Sequence, residues 1–154
     1  MRSKSWVILL LFVLILMQCI DIQAQIIRKK VSLAWTENLV FKIDDENTLE
    51  FLNFEEAISD FKYGDLPVFF QKIAVDNFFS DCEVQLSNMV FENLSSEDRN
   101  LVPSQLLKPT VEPQVRCYAE KGKPYAVVTL LPFVSDGYSQ IKKLVSFEMT
   151  LIPQ

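Results

Sequence analysis

Histidine is missing from all 154 residues of this chain. The commonest general base and the commonest metal ligand are therefore both unavailable, and no Cys–His nucleophile pair can form within it. Glycine is scarce: Gly64, Gly122 and Gly137 are the only three, too scattered to build a phosphate-cradling loop. Of the three cysteines, Cys82 and Cys117 lie too far apart for a C-x-x-C pair, and two thiolates without histidine make a poor zinc site. No serine–lysine spacing singles out a catalytic pair. The residue types thus nominate no catalytic, cofactor-binding or metal-binding group.

One long apolar run stands near the N-terminus. Arg2 and Lys4 precede an uncharged stretch from Ser5 to Ile20, the pattern of a secretory signal peptide. Its apolar part, WVILLLFVLILM, is shorter than the roughly 20 residues a spanning helix needs. The expected cut follows Ala24 and leaves Gln25 as the first mature residue. Cys19 does not read as a lipidation site, because Leu16-Met17-Gln18 offers no small residue ahead of it. Residues 1–24 are accordingly a signal peptide and 25–154 a single domain. The product is exported to the periplasm, the outer-membrane surface or the medium, with no membrane span once the signal is gone. Cleavage removes Arg2, Lys4 and Asp21, leaving 13 basic and 19 acidic residues and a net charge of −6. That balance repels phosphate backbones and argues against a nucleic-acid partner. The cluster Arg28-Lys29-Lys30 is the local exception and reads as a solvated strand edge.

Period-two alternation runs through most of the mature sequence. Cys82 to Ser87 and Gln114 to Glu120 alternate as half-buried strands. Tyr125 to Leu131 is apolar on both phases, which predicts a strand covered on each face. In the last run Val145, Phe147, Met149 and Leu151 share one side. Turn signals at Lys121-Gly122-Lys123 and Ser135-Asp136-Gly137 join these runs into an expected three-strand meander from about Val115 to Ile152. Asp44-Asp45-Glu46-Asn47 separates Leu39–Ile43 from Thr48–Leu52 and predicts another hairpin. Ser95-Ser96-Glu97-Asp98 has the form of a capping box opening a short helix toward Val102, and Asn53–Ile58 is a weaker helical candidate. The segment from Pro103 to Pro113 reads as an extended crossover. The expected class is all-β, an antiparallel β-sandwich with one or two short helices.

Three further features bear on binding. The acidic turn at 44–47 offers oxygen ligands but lacks the glycine and the terminal glutamate of a calcium loop, so a solvated turn is the better reading. Adjacent rings at Phe69-Phe70 and Phe78-Phe79 point to opposite faces of an extended chain, leaving one ring of each pair either under a second sheet or on a contact surface. Asn93-Leu94-Ser95 matches the N-glycosylation sequon. As for Cys82 and Cys117, an oxidising destination permits a disulfide, and two buried free thiols fit the sequence equally well.

The order of motifs carries a resemblance. A Trp-containing strand (VSLAWTENL), then GDLPVFFQKIAV, the capped LSSED, GKPYAVVTLLPF and KLVSFEMTLIP resemble the N-terminal prodomain-like region of gingipain-type cysteine peptidases, most closely that of the type IX secretion system sortases (the PorU type) of Bacteroidetes. The resemblance spans nearly all of residues 30–152. It implies a β-sandwich carried ahead of a caspase-like catalytic domain with a Cys–His dyad, acting in gingipains as folding aid and latency domain. In the sortases the parent enzyme cuts the C-terminal signal of secreted cargo and joins the cargo to a surface lipopolysaccharide. None of the catalytic motifs lies in these 154 residues, so the chain is expected to be the non-catalytic front of a longer polypeptide whose partner is the catalytic domain or another protein domain. The alternative is a stand-alone secreted binding or surface-assembly module. An independent hydrolase is disfavoured by the missing histidine.

Overall fold

The computed structural model describes residues 26–76, 81–137 and 140–154. The expected signal peptide, with its cleavage site at Ala24 and Gln25, falls outside them, as do Phe78 and Phe79. In chain order the strands are β1 (Ile27–Ser32), β2 (Leu39–Lys42), β3 (Thr48–Phe51), β4 (Ile58–Ser59), β5 (Pro67–Ala74), β6 (Cys82–Asn93), β7 (Gln114–Glu120), β8 (Lys123–Leu130), β9 (Phe133–Ser135) and β10 (Ile141–Pro153). One helix, α1 (Ser96–Arg99), and 3₁₀ turns at Phe61–Tyr63 and Ser104–Leu106 complete the described elements. Every strand ladder is antiparallel, and the all-β sandwich expected from the alternation is what forms.

In the first sheet β10 is central, with β6 along one side and β1 and β9 end to end along the other. The second runs β4-β5-β8-β7. Their inner faces meet in one apolar cluster: Phe69, Ile73, Ala126, Val128 and Leu130 from the second sheet face Leu144, Phe147, Met149 and Leu151 from the first. Phe69 stands edge-on to Phe147 across the gap, at 5.4 Å between ring centres, a favoured aromatic geometry. Each such side chain, fully buried, stabilises the fold by about 1.5–3 kcal/mol. A second cluster, which includes Leu52, Leu66, Leu94, Val102 and Phe133, fills one end of the sandwich.

The meander expected between Val115 and Ile152 is corrected. β7 and β8 do pair, from Gln114↔Thr129 to Glu120↔Lys123, through a two-residue turn in which Lys121 and Gly122 both have positive φ, 50° and 75°, as a hairpin turn of this twist requires. The chain then leaves the sheet. Pro132 has no N–H to offer a continuing ladder, so Leu131-Pro132 carries the chain across to the first sheet. The Ser135-Asp136-Gly137 turn there joins β9, not β8, to β10.

The shared side expected for the last run is also corrected. A bulge places Val145 as an extra residue between the Leu144↔Phe91 and Ser146↔Val90 pairs. Leu144 and Phe147 are thereby both buried and Val145 only half-buried. A second irregularity on β6 takes up Asn88 at φ 50°, a conformation asparagine tolerates better than most residues.

Two local readings change as well. Asn53–Ile58 is not helical: Phe54 bridges to Trp35, Glu56 turns the chain at φ 62°, and Ile58 enters β4. On β8 only Ala126, Val128 and Leu130 are buried, while Tyr125, Val127 and Thr129 are half-buried on the outer face. The capping reading fares better: the Ser95 hydroxyl accepts from the Asp98 N–H at 3.0 Å, although the helix ends at Arg99.

Candidate functional site

Strands β2 and β3 form a ribbon of their own, separate from both sheets. Its root is fixed in the core. Trp35 and Phe54 pair as a bridge, with their rings edge-on at 5.0 Å, and the Trp35 Nε1–H donates to the Leu144 carbonyl at 2.9 Å. Above the root, residues 36–38 oppose only 52–53, an extra residue that re-aims the ribbon. The Asn38 amide donates to Glu50 Oε1 and to Asp98 Oδ1, both at 2.8 Å, tying the ribbon to the first turn of α1. At the tip the Asp44 carboxylate accepts from the N–H groups of Glu46 and Asn47 and from the Asn47 amide. These bonds, the Asn47 amide foremost, hold its pKa below the ordinary 3.8.

Alternation sorts the ribbon into two unlike faces. The register pairs Leu39 with Phe51 and Phe41 with Leu49 on one face, and Val40 with Glu50 and Lys42 with Thr48 on the other. The first face is wholly apolar and Ile43 extends it, yet it has no covering layer. Leu39, Phe41, Ile43 and Leu49 are 44%, 56%, 62% and 48% exposed. Phe41 and Phe51 stack edge to face at 5.7 Å. A two-stranded ribbon is marginal in water by itself, and an apolar face left open on an anchored ribbon marks a contact surface. Sequence reasoning found the hairpin and missed its exposure, because alternation tells which residues share a face and not whether anything packs on it.

Apart from the acidic turn at 44–47, the residues singled out from the sequence lie elsewhere. Cys82 and Cys117 come together, their Cα atoms 6.6 Å apart and their sulfurs bonded, joining the edge strands β6 and β7 of opposite sheets. Arg28 and Lys30 project to the outer face of β1, where Lys30 meets Glu148 at 3.4 Å in an exposed ion pair, and Lys29 is half-buried. Asn93 is exposed at the end of β6, Leu94 is buried, and Ser95 is engaged as the helix cap. Phe69 is core and Phe70 is 39% exposed.

Outside the ribbon, the outer face of the second sheet carries Lys72 above the Tyr125 ring, at 4.1 Å to its centre, and in an ion pair with Glu120. Bonding to Glu120 first, and to Tyr118 second, raises the Lys72 pKa above 10.5. The rings are thus partly capped by that ammonium. A cavity of about 230 Å³ beside Tyr63, Leu106 and Phe133 is lined in part by Lys108 and Glu112, which form an ion pair. Among the described residues no group of three or more cysteine, aspartate or glutamate side chains is gathered to hold a metal ion, and no helix is long and apolar enough to cross a membrane.

No family model matches this chain, and no curated protein matches it. Solved structures do, among them the following two. One is the complex of Porphyromonas gingivalis RgpB pro- and mature domains, with a TM-score of 0.57 at 9% identity, over 88% of this chain and 83% of that one. The other was determined for the zymogenic latency of gingipain K from Porphyromonas gingivalis, with a TM-score of 0.54 at 12% identity, over 88% of this chain and 95% of that one. At such identities the likeness is one of fold: the sandwich built here is a gingipain propeptide-like fold.

Proposed function

We propose that this chain is a non-catalytic, pro-domain-like β-module that docks on a peptidase-type catalytic domain and serves it as scaffold, folding aid or latency element. The observation that carries the reading is the extent of the shared architecture: more than four-fifths of this chain and of each matched gingipain chain superpose. The residues agree, since a chain without histidine brings no Cys–His dyad of its own and offers shape in its place. Within this reading the signal peptide directs export to the cell envelope or beyond. The partner is a caspase-like domain, and the motif order points to the PorU-type sortases of the type IX secretion system in Bacteroidetes.

The test begins with the source genome. A domain bearing the Cys and His of a peptidase, encoded in frame with this chain, is expressed with and without residues 25–154. The expected result is a higher soluble yield in the presence of the module, with peptidase activity held down until the module is removed. Equal yields and equal activities overturn the proposal.

A further inference from the structure

We propose, building on that reading, that the β2–β3 ribbon is the surface by which the module seats on its partner, and that the partner presents an apolar groove rimmed by lysine and arginine. Geometry supplies the first half. Leu39, Phe41, Ile43, Leu49 and Phe51 make a continuous apolar face on a ribbon whose root is locked by Trp35 and Phe54. An anchored ribbon with aromatic and leucine side chains at its centre is pre-organised, so little conformational entropy is lost when a groove closes over it.

Charge supplies the second half. Between residues 37 and 50 the ribbon carries Glu37, Asp44, Asp45, Glu46 and Glu50 against the single cation Lys42, a net of four negative charges; three of the carboxylates, Asp44, Asp45 and Glu46, stand at the tip next to Ile43 and the apolar face. A complementary rim is cationic. The same charges argue against other occupants. Amphipathic elements that lie on anionic membranes are rich in lysine and arginine. A second copy of this chain, meeting the ribbon about a two-fold axis, would set acidic rim against acidic rim.

The test places the photo-crosslinker p-benzoylphenylalanine at Phe41 of the full-length chain in its source cells. Separate chains carry it at Val127 on the outer face of β8 and at Thr150 on the outer face of β10. At Phe41 the expected product is an adduct with one protein domain, the captured peptide being apolar and flanked by lysine or arginine. The Asp45→Lys/Glu46→Lys variant, which reverses charge at the tip and keeps the Asp44 turn bonds while breaking the exposed Lys42–Asp45 ion pair, is expected to cut that yield about tenfold. Retained amide protection at Ile43 shows that the ribbon still forms in the variant. An adduct with lipid or with a second copy, a captured peptide without basic residues, or a yield unchanged by charge reversal overturns the inference. Silence at Phe41 with capture of a peptidase domain at Val127 or Thr150 overturns it and leaves the proposed function standing. Silence at all three positions overturns both.

Discussion

Reducing the Cys82–Cys117 bridge is expected to cost the domain roughly a quarter to three-quarters of a typical stability of about 5–15 kcal/mol without unfolding it. The two cysteines are 35 residues apart in the chain. Closing a loop of that length in the unfolded ensemble costs roughly 13 cal/mol/K, or about 3.8 kcal/mol at 25 °C. A domain of 130 residues unfolds with an entropy near 0.27 kcal/mol/K, so the expected fall in Tm is about 14 °C. The folded state should change little, because Cys82 is buried against a core that the bridge does not create. The assay is urea unfolding of residues 25–154 with and without reductant, followed by circular dichroism. The slope with urea should rise on reduction, since an uncrosslinked unfolded chain exposes more surface. A shift below about 1 kcal/mol would refute the loop-entropy reasoning, and two alkylatable thiols in the native, unreduced protein would refute the bridge itself.

Two further expectations follow from the core and the turn. Phe147→Ala empties the site opposite Phe69 at the centre of the sandwich and is expected to cost about 3–5 kcal/mol by urea unfolding; a loss under about 1 kcal/mol would place Phe147 outside the working core. The Asp44 turn should be acid-labile. With its folded pKa below the unfolded 3.8, the carboxylate supports the turn above that value and ceases to do so as pH falls through the folded pKa. Amide exchange at Glu46 and Asn47 should accelerate there while Phe147 and Leu151 stay protected, and an apparent midpoint above 3.8 would contradict the assignment.

Much of this architecture was legible from alternation and turn chemistry. Gln114–Glu120 appears with the expected limits, and the hairpin about Asp44–Asn47 and the serine cap at Ser95 form where local rules placed them. What escaped was non-local. No pattern within β8 or β10 announces that they belong to different sheets, because both are apolar enough to pair. The turning point is the Leu131-Pro132 step, read as part of a strand end. The bulge at Val145 was invisible for a related reason: an inserted residue breaks the period by one, and a window of alternating residues simply absorbs it. At Asn53–Ile58, two glutamates and an alanine suggested helix, yet the pairing of Phe54 with Trp35 overrode that weak propensity. The open face of the ribbon was the costliest omission, since the same five apolar side chains would look identical in sequence if a sheet lay over them.

The central position of β10 has a consequence for assembly. β1 is made first but finds its ladder partner only when residues 146–151 arrive, and β6 waits for the same strand. Until then the nascent first sheet has no middle, so synthesis runs far ahead of cooperative pairing and the rate is governed by long loop closure. A polypeptide ordered in this way carries its early strands as unpaired edges until β10 has been made.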